Sequence, residues 1–477
     1  MENNIKKDKP KNKGNSQVLI MTYIFVGLFV LLIGNYAYFL IVDSNTVINN
    51  PYNARQDLLA ERIVRGKIMA SNGEVLAETK TDKNGQETRY YPYKSLFCHV
   101  VGRFSKGKTG IESSESFTML ASNGNPFGNL INELSGVKNV GDNVITTLDV
   151  DLQQVASDAL GKRKGAIVVL EPSTGKILAM VSKPTYNPNK IISNWDDLVE
   201  DSDNNSALIN RATQGLYPPG STFKILTALE YIRENPNYKK YDYNCDGSDT
   251  FQGVKIKCYN NKKHGEETLK KSFAKSCNVS FANIGMKLDI KSFRQLCETF
   301  LFNKKLPTDL IYNQSSFELT ANSNRSEIPQ TAIGQGNTQI SPFHNALITA
   351  VIANGGTLMN PYVVDRVETT DGNIVKKHMP TTYGTILSSE EAKIIKSFMK
   401  EVVEDGSATA LKGLSYSVAG KTGSAEFDSN NNSHAWFVGF APVSQPKIVV
   451  SIIVEGAGTG SEYAVPIAKK IFDAYLK

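Results

Sequence analysis

The sequence predicts an α+β domain carried behind a single membrane-spanning helix, and three observations say so. Residues 18–42 form an uncharged run of 25 residues, long enough to cross a bilayer with some tilt. Residues 165–170 and 176–182 read as two strands around Pro172-Ser173-Thr174-Gly175, a hairpin turn, and residues 436–441 and 448–454 are strands by composition. Between these pairs, the stretch after Tyr217-Pro218-Pro219-Gly220 is apolar on nearly every face, through Phe223, Ile225, Leu226, Ala228, Leu229, Tyr231 and Ile232. That pattern describes a helix opening on Ser221 and buried inside a domain, beneath an antiparallel sheet.

The N-terminal elements come first. A chain of 477 residues allows two to three domains, and its 40% hydrophobic and 21% charged residues are ordinary for a globular protein. Residues 1–17 are polar, with Lys6, Lys7, Lys9, Lys11 and Lys13 against Glu2 and Asp8. Lysines at the N-terminal end of the 18–42 run place that end in the cytoplasm and everything after Asp43 outside the cell membrane. The run is longer than the apolar core of a cleavable signal peptide, so it reads as a single-pass anchor. Gly27 and Gly34 lie on similar faces of it and allow close approach of a partner helix. The net charge of +6 is dispersed, with no basic stripe interleaved with aromatics, which excludes a nucleic-acid partner.

Residues 43–145 are polar and turn-rich. Asn72-Gly73 between short apolar runs reads as a hairpin turn, in a small β-rich segment that also carries Arg65-Gly66 and Gly110-Ile111-Glu112. The segment is too short to hold a second enzymatic domain. Residues 146–477 then form the larger domain.

The chemistry starts at Ser221 and Lys224, three apart and therefore on one side of a helical turn. A serine hydroxyl needs a base beside it to act as a nucleophile, and a lysine in a dry site loses part of its preference for charge. The N–H groups of a helix N-terminus suit a developing oxyanion. Alone, Ser-x-x-Lys is a common chance pattern that reads equally as a helix cap and a surface lysine. Two further elements follow in order: Ser276-Cys277-Asn278, and Lys421-Thr422-Gly423-Ser424 on a strand edge of small residues. Small residues there let a peptide pair along the strand, with Lys421, Thr422 and Ser424 offering a charge and hydroxyls to a carboxylate.

The ordered set Ser-x-x-Lys, Ser-x-Asn, Lys-Thr-Gly resembles the penicillin-binding proteins, specifically the class B transpeptidases, from about residue 50 to the C-terminus. The resemblance implies a five-stranded antiparallel sheet with helices on both faces, preceded by a pedestal or dimerisation-like domain. It implies a D,D-transpeptidase that cross-links peptidoglycan stem peptides through an acyl-enzyme and is trapped by β-lactams. In this reading Lys224 takes the Ser221 proton, Ser276 relays a proton to the leaving D-alanine, and Asn278 bonds both the peptide and Lys224. The N–H groups of Ser221 and Ser424 form the oxyanion hole. No cofactor is required for the chemistry, and the partner implied for the membrane helix is a polytopic glycosyltransferase of the SEDS type. A D,D-carboxypeptidase or β-lactamase shares the motifs but passes the acyl group to water, and a non-enzymatic scaffold would do without Ser221.

One constellation stands outside these motifs. Cys245, Cys258, His264 and Cys277 are separated by 12, five and 12 residues. Three thiols and an imidazole suit tetrahedral zinc, which would brace the loop carrying Ser276. A Cys245–Cys258 disulfide with a plain buried Cys277 is the other reading, open because the location permits disulfides. With Cys98 and Cys297 the count of five is odd.

Overall fold

Residues 14–43, 55–200, 206–427 and 432–477 are described in the computed structural model, which divides into two units, Met1–Arg55 and Gln56–Lys477. The first unit holds helix α1, Gly14–Tyr38, continued by one wider turn, Phe39–Asp43. Within it Ser16–Ile41 has a mean hydropathy of 2.4 and is apolar all round rather than on one stripe. Twenty-six residues rise about 39 Å, enough to traverse a hydrocarbon core of about 30 Å. The tail lysines 6, 7, 9, 11 and 13 lie outside the described residues.

After a short helix, Arg55–Ala60, and a two-residue strand, Ile63–Val64, come strands β1 (Ile68–Met69), β2 (Val75–Thr81) and β3 (Glu87–Tyr90), then β4 (Asn143–Thr146). Asn72-Gly73 turns β1 back onto β2, with Gly73 at φ +89°, a conformation that side chains resist. The Asn72 side chain accepts from the Glu74 N–H at 3.1 Å and tightens the turn.

Helix α2 (Val150–Leu160) leads into β5 (Gly165–Leu170) and β6 (Ile177–Lys183), joined by the 172–175 turn with Gly175 at φ +83°. Helix α3 (Lys224–Glu234) follows, then two hairpin pairs. Strand β7 (Asp242–Cys245) pairs with β10 (Gly265–Thr268), and β8 (Ser248–Phe251) with β9 (Val254–Lys257). Helices α4 (Leu269–Lys275), α5 (Asn278–Gly285) and α6 (Pro342–Ala353) come next. Strands β11 (Val364–Glu368) and β12 (Ile374–Lys377), helix α7 (Ser389–Asp405), strands β13 (Ala419–Glu426), β14 (Ser433–Ala441) and β15 (Ile448–Val454), and helix α8 (Val465–Leu476) complete the unit.

The main sheet has five strands in the order β13-β14-β15-β5-β6, every neighbour antiparallel, with β13 at one edge. Strands β5 and β15 are buried on both faces, which is why their sequences run apolar without alternation. Helices α2 and α8 pack together on one face, while α6 crosses the other with α7 beside it. All twelve residues of α6 are buried, so this helix lies against the sheet centre. The helix expected to carry Ser221 is buried as predicted, but chiefly among other helices, and the turn before it packs on β13.

The second sheet has six strands in the order β12-β11-β4-β1-β2-β3. Strands β11 and β12 come from more than 200 residues downstream of β4, so this sheet is not confined to residues 43–145. Arg65 and Glu112 meet at its side. Glu112 is fully buried and accepts from Arg65 Nε at 2.9 Å and from Arg89 Nε at 2.6 Å. Arg89 also donates to the Gly66 carbonyl at 2.7 Å. Burial alone would raise the Glu112 pKa, but the guanidiniums of Arg89 and Arg65 hold it below the usual carboxylate value. Glu112→Gln leaves two buried cations facing a neutral amide. The expected loss is about 3–5 kcal/mol, read as a lower denaturant midpoint of the second unit, and a loss under about 1 kcal/mol would remove Glu112 from its central place. Because the folded pKa is depressed, the stabilisation is complete above about pH 4.5 and fades as pH falls through the folded value.

Candidate active site

The turn before α3 is tighter than the sequence predicts. Ser221 lies in a 3₁₀ turn, Gly220–Phe223, and the α-helix opens only at Lys224. Gly220 sits at φ +53°, which sends the chain from Pro219 sharply into the turn. With three residues per turn, positions 221 and 224 are eclipsed, so the predicted shared side is kept.

Four contacts hold the turn. Gly220 N–H donates to the Gly334 carbonyl at 2.9 Å. Thr222 Oγ1 donates to the Pro219 carbonyl at 2.8 Å and accepts from Asn345 Nδ2 of α6 at 3.1 Å. Trp436 Nε1 of β14 donates to the Pro218 carbonyl at 3.0 Å. The fit leaves no slack: a Cβ on Gly334 would lie 2.0 Å from the Gly220 carbonyl oxygen, and one on Gly220 would lie 2.7 Å from that of Ser424. Just upstream, Glu455 accepts from Tyr217 Oη at 2.6 Å and Arg211 Nε at 2.8 Å. Sequence reasoning put Trp436 at the start of a strand but missed Asn345 and Glu455. Each acts through a contact spanning more than 100 residues, for which no periodicity or motif gives a signal.

Two buried amines converge on the Ser276 loop. Lys224 Nζ donates to the Ser276 carbonyl at 2.9 Å and to Asn278 Oδ1 at 2.8 Å, and stands 3.5 Å from Ser276 Oγ. Lys421 Nζ donates to Ser276 Oγ at 2.9 Å and to the Thr422 carbonyl at 3.1 Å. Ser276 ends α4 in the left-handed region at φ +58°, which turns its hydroxyl and carbonyl toward the amines. Burial pulls the Lys224 amine down to about 8, against a smaller opposing pull from Cys277 and Cys258. Burial, and then the neighbouring Lys224, drive Lys421 well below its ordinary value. Thr422 Oγ1 is hydrogen-bonded to the Ser407 hydroxyl, and Gly423 packs against Pro219 and Trp436. Ser221 Oγ has no hydrogen-bond partner among the described residues. The structure thus gathers Ser221, Lys224, Ser276, Asn278, Lys421, Thr422, Gly423 and Ser424 about one cleft. A hydroxyl, a basic amine, a second hydroxyl between two amines and a strand edge are the parts of an acyl-transfer site.

His434 is a packing residue. It stacks on Phe427 with centroids 4.3 Å apart, meets Tyr217 edge-on, and accepts from the Gly456 N–H at 3.2 Å.

Cys245, Cys258, His264 and Cys277 form one cluster, their donor atoms all within 4.8 Å of one another. Cys245 Sγ lies 3.7 Å from Cys258 Sγ and 3.6 Å from His264 Nδ1, and Cys258 Sγ lies 3.7 Å from Cys277 Sγ. All five cysteines are free thiols. Cys277 also caps α5, its sulfur accepting from the Ser280 N–H at 3.4 Å. The hairpins β7–β10 exist to present these groups: Cys245 ends β7, and His264 directly precedes β10, its N–H on the Cys245 carbonyl.

Residues 165–473 match the penicillin binding protein transpeptidase domain, and residues 65–144 match the penicillin binding protein A dimerisation domain. The chain is similar to the peptidoglycan D,D-transpeptidase PbpA of Mycolicibacterium smegmatis, 30% identical over 94% of this chain and 96% of the relative. It is also similar to MrdA of Acinetobacter baumannii, a peptidoglycan D,D-transpeptidase, 29% identical over 82% of this chain and 66% of that protein. Among solved structures it resembles penicillin-binding protein A of M. tuberculosis as its imipenem acyl-enzyme complex, with TM-score 0.80 and 30% identity over 88% of this chain and 99% of that one. The penicillin G acyl-enzyme complex of the same protein gives TM-score 0.79 and 30% identity over 87% of this chain and 100% of that chain.

Proposed function

This chain belongs to the penicillin-binding protein transpeptidases, in class B, and on that premise we propose how its residues carry the reaction. It is a serine-type peptidoglycan D,D-transpeptidase, acylated by β-lactams. The convergence of Lys224 and Lys421 on Ser276 is the observation that carries the assignment of roles.

Lys224 in its neutral form takes the Ser221 proton as Oγ attacks the carbonyl of the penultimate D-alanine. The new C–O bond forms as electrons move onto the carbonyl oxygen, which the N–H groups of Ser221 and Ser424 receive. The oxyanion collapses, the peptide bond breaks, and Ser276 passes a proton to the departing D-alanine amine. Lys421, beside Ser276, supplies the return proton path and positive potential for the terminal carboxylate, which Thr422 and Ser424 also face. Asn278 holds Lys224 and offers its amide to the donor peptide. An amine of a neighbouring stem then attacks the ester and releases Ser221.

Labelling the full chain with a fluorescent penicillin should place the adduct on the Ser221 peptide, and Ser221→Ala should remove it. An adduct elsewhere, or label retained by the alanine variant, overturns the assignment.

The cysteine–histidine cluster is proposed as a structural zinc site. Tetrahedral zinc with bonds of about 2.3 Å to sulfur and about 2.0 Å to nitrogen has edges of about 3.8 Å and about 3.6 Å. The three shortest separations, two of 3.7 Å and one of 3.6 Å, fit those edges and all four donors lie within 4.8 Å of one another, whereas bonded sulfurs stand about 2.05 Å apart. The ion supplies cross-linking and charge balance there, and no step of the reaction passes through it. Protein purified without added metal should contain one zinc per chain. Cys258→Ser should lose it and slow Ser221 acylation by about tenfold or more, since both neighbours of Cys277 touch Lys224. Metal-free protein with a Cys245–Cys258 disulfide and full activity sinks this reading.

We further infer that α1 anchors the protein in the cell membrane with its N-terminus cytoplasmic, and that it pairs there with a SEDS-type glycosyltransferase. Added Cβ atoms at Gly27 and Gly34 meet nothing within 4 Å, so both positions stay open to another helix. Co-purification from detergent extracts should weaken for Gly27→Leu with Gly34→Leu; an undiminished yield rejects this contact.

A further inference from the structure

The edge strand β13 offers fewer free backbone groups than its length implies. Phe427 N–H donates to the Asn432 carbonyl at 3.1 Å, one step beyond the Glu426↔Ser433 pair in the same register. Hydrogen-bonded pairs alternate along an antiparallel ladder, so the odd-numbered residues of β13 bond β14. The even-numbered ones turn their N–H and C=O groups away from β14, and from Thr422 onward these are Thr422, Ser424 and Glu426.

Two of these three are already engaged. The Thr422 carbonyl accepts from Lys421 Nζ at 3.1 Å. At Glu426 the two ends of the Gln335 side-chain amide lie 3.3 Å from the carbonyl and 3.2 Å from the N–H, and the amide orientation that satisfies both, nitrogen toward the carbonyl and oxygen toward the N–H, is the one assigned here. That pair imitates a strand residue with a side chain. Of these three, Ser424 alone has neither its N–H nor its C=O engaged among the described residues.

We propose that Gln335 is a specificity-determining residue for the acyl donor: by saturating the Glu426 backbone it stops strand pairing between donor and β13 after Ser424. The inference rests on the transpeptidase reading above. A donor extending β13 has its reacting D-alanine at Ser424, and strand pairing repeats every second residue. The donor residue two positions earlier therefore meets the Gln335 amide instead of a free edge. Stem-peptide residues before that point are recognised by other contacts or not at all, and donor length contributes little to binding.

The Gln335 side chain is separable from the frame that carries it. Its own N–H is tied to the Gln330 carbonyl at 2.9 Å, and the tie to the nucleophile turn runs through the Gly334 carbonyl. Gln335→Ala opens the Glu426 edge without touching either. Gln335→Glu keeps the size but sets a carboxylate oxygen against the Glu426 carbonyl, so it too should release the edge.

The test compares two D-alanyl-D-alanine donors with the full chain in detergent: one with a single residue before the dipeptide, one with two residues more. The wild-type protein should use them with kcat/KM within about twofold of each other. Both variants should gain about three- to tenfold on the longer donor, through KM, with the shorter donor and penicillin labelling of Ser221 unchanged. No gain on the longer donor overturns the proposal. A parallel fall on both donors and on penicillin also overturns it, since that marks Gln335 as a mere brace for the loop. If wild-type Ser221 takes no penicillin label, the transpeptidase reading fails first, and independently of Gln335.

Discussion

Two lysine amines share one serine in the interior of this protein, and most of the catalytic domain exists to make that tolerable. Like charges a few ångströms apart in a dry site repel, and burial penalises each further. The arrangement holds because the amines are given carbonyl, amide and hydroxyl oxygens and because at least one of them gives up its proton readily. The same stress that makes the pair costly makes Lys224 a usable base. The left-handed Ser276 is the keystone, since its carbonyl and hydroxyl face both amines at once.

Such a loop needs support from outside, and it has two sources. Helices α4 and α5 meet at it, one ending and the other beginning, so its position follows from their packing against α3 and α7. The cysteine–histidine cluster sits behind Cys277, between the two functional side chains of the Ser-x-Asn element. Whatever fixes Cys277 fixes Ser276 and Asn278 together, and through them Lys224. The β7–β10 hairpins also reach the Ser-x-Asn element directly, since the Lys257 carbonyl at the end of β9 accepts from Asn278 Nδ2 at 3.0 Å.

The opposite wall of the cleft depends on fit rather than charge. Gly220, Gly334 and Gly423 let a turn, a loop and a strand edge approach to distances that a methyl group would forbid. Asn345 and Trp436 then pin the turn from the central helix and the second strand. The six-stranded sheet is joined to this frame by β11, so the region of residues 65–144 is completed by sequence from within residues 165–473 and need not move independently of it.

The sequence alone singled out the residues to which the chemistry is assigned above and the elements that carry them. Ser221, Lys224, Ser276, Asn278 and the 421–424 run are legible because each group lies within one turn or one strand, where residue type and spacing are the signal. The Arg65-Gly66 and Gly110-Ile111-Glu112 stretches, the Asn72-Gly73 and 172–175 turns and the long apolar helix are legible for the same reason. Only the tertiary structure decided that Arg65 and Arg89 close on Glu112, that β11 and β12 complete the six-stranded sheet, that a 3₁₀ turn precedes α3, and that Gln335 covers the Glu426 edge. Those contacts join residues far apart in the chain through single polar groups, and a lone asparagine, glutamine or glutamate carries no periodicity that names its partner.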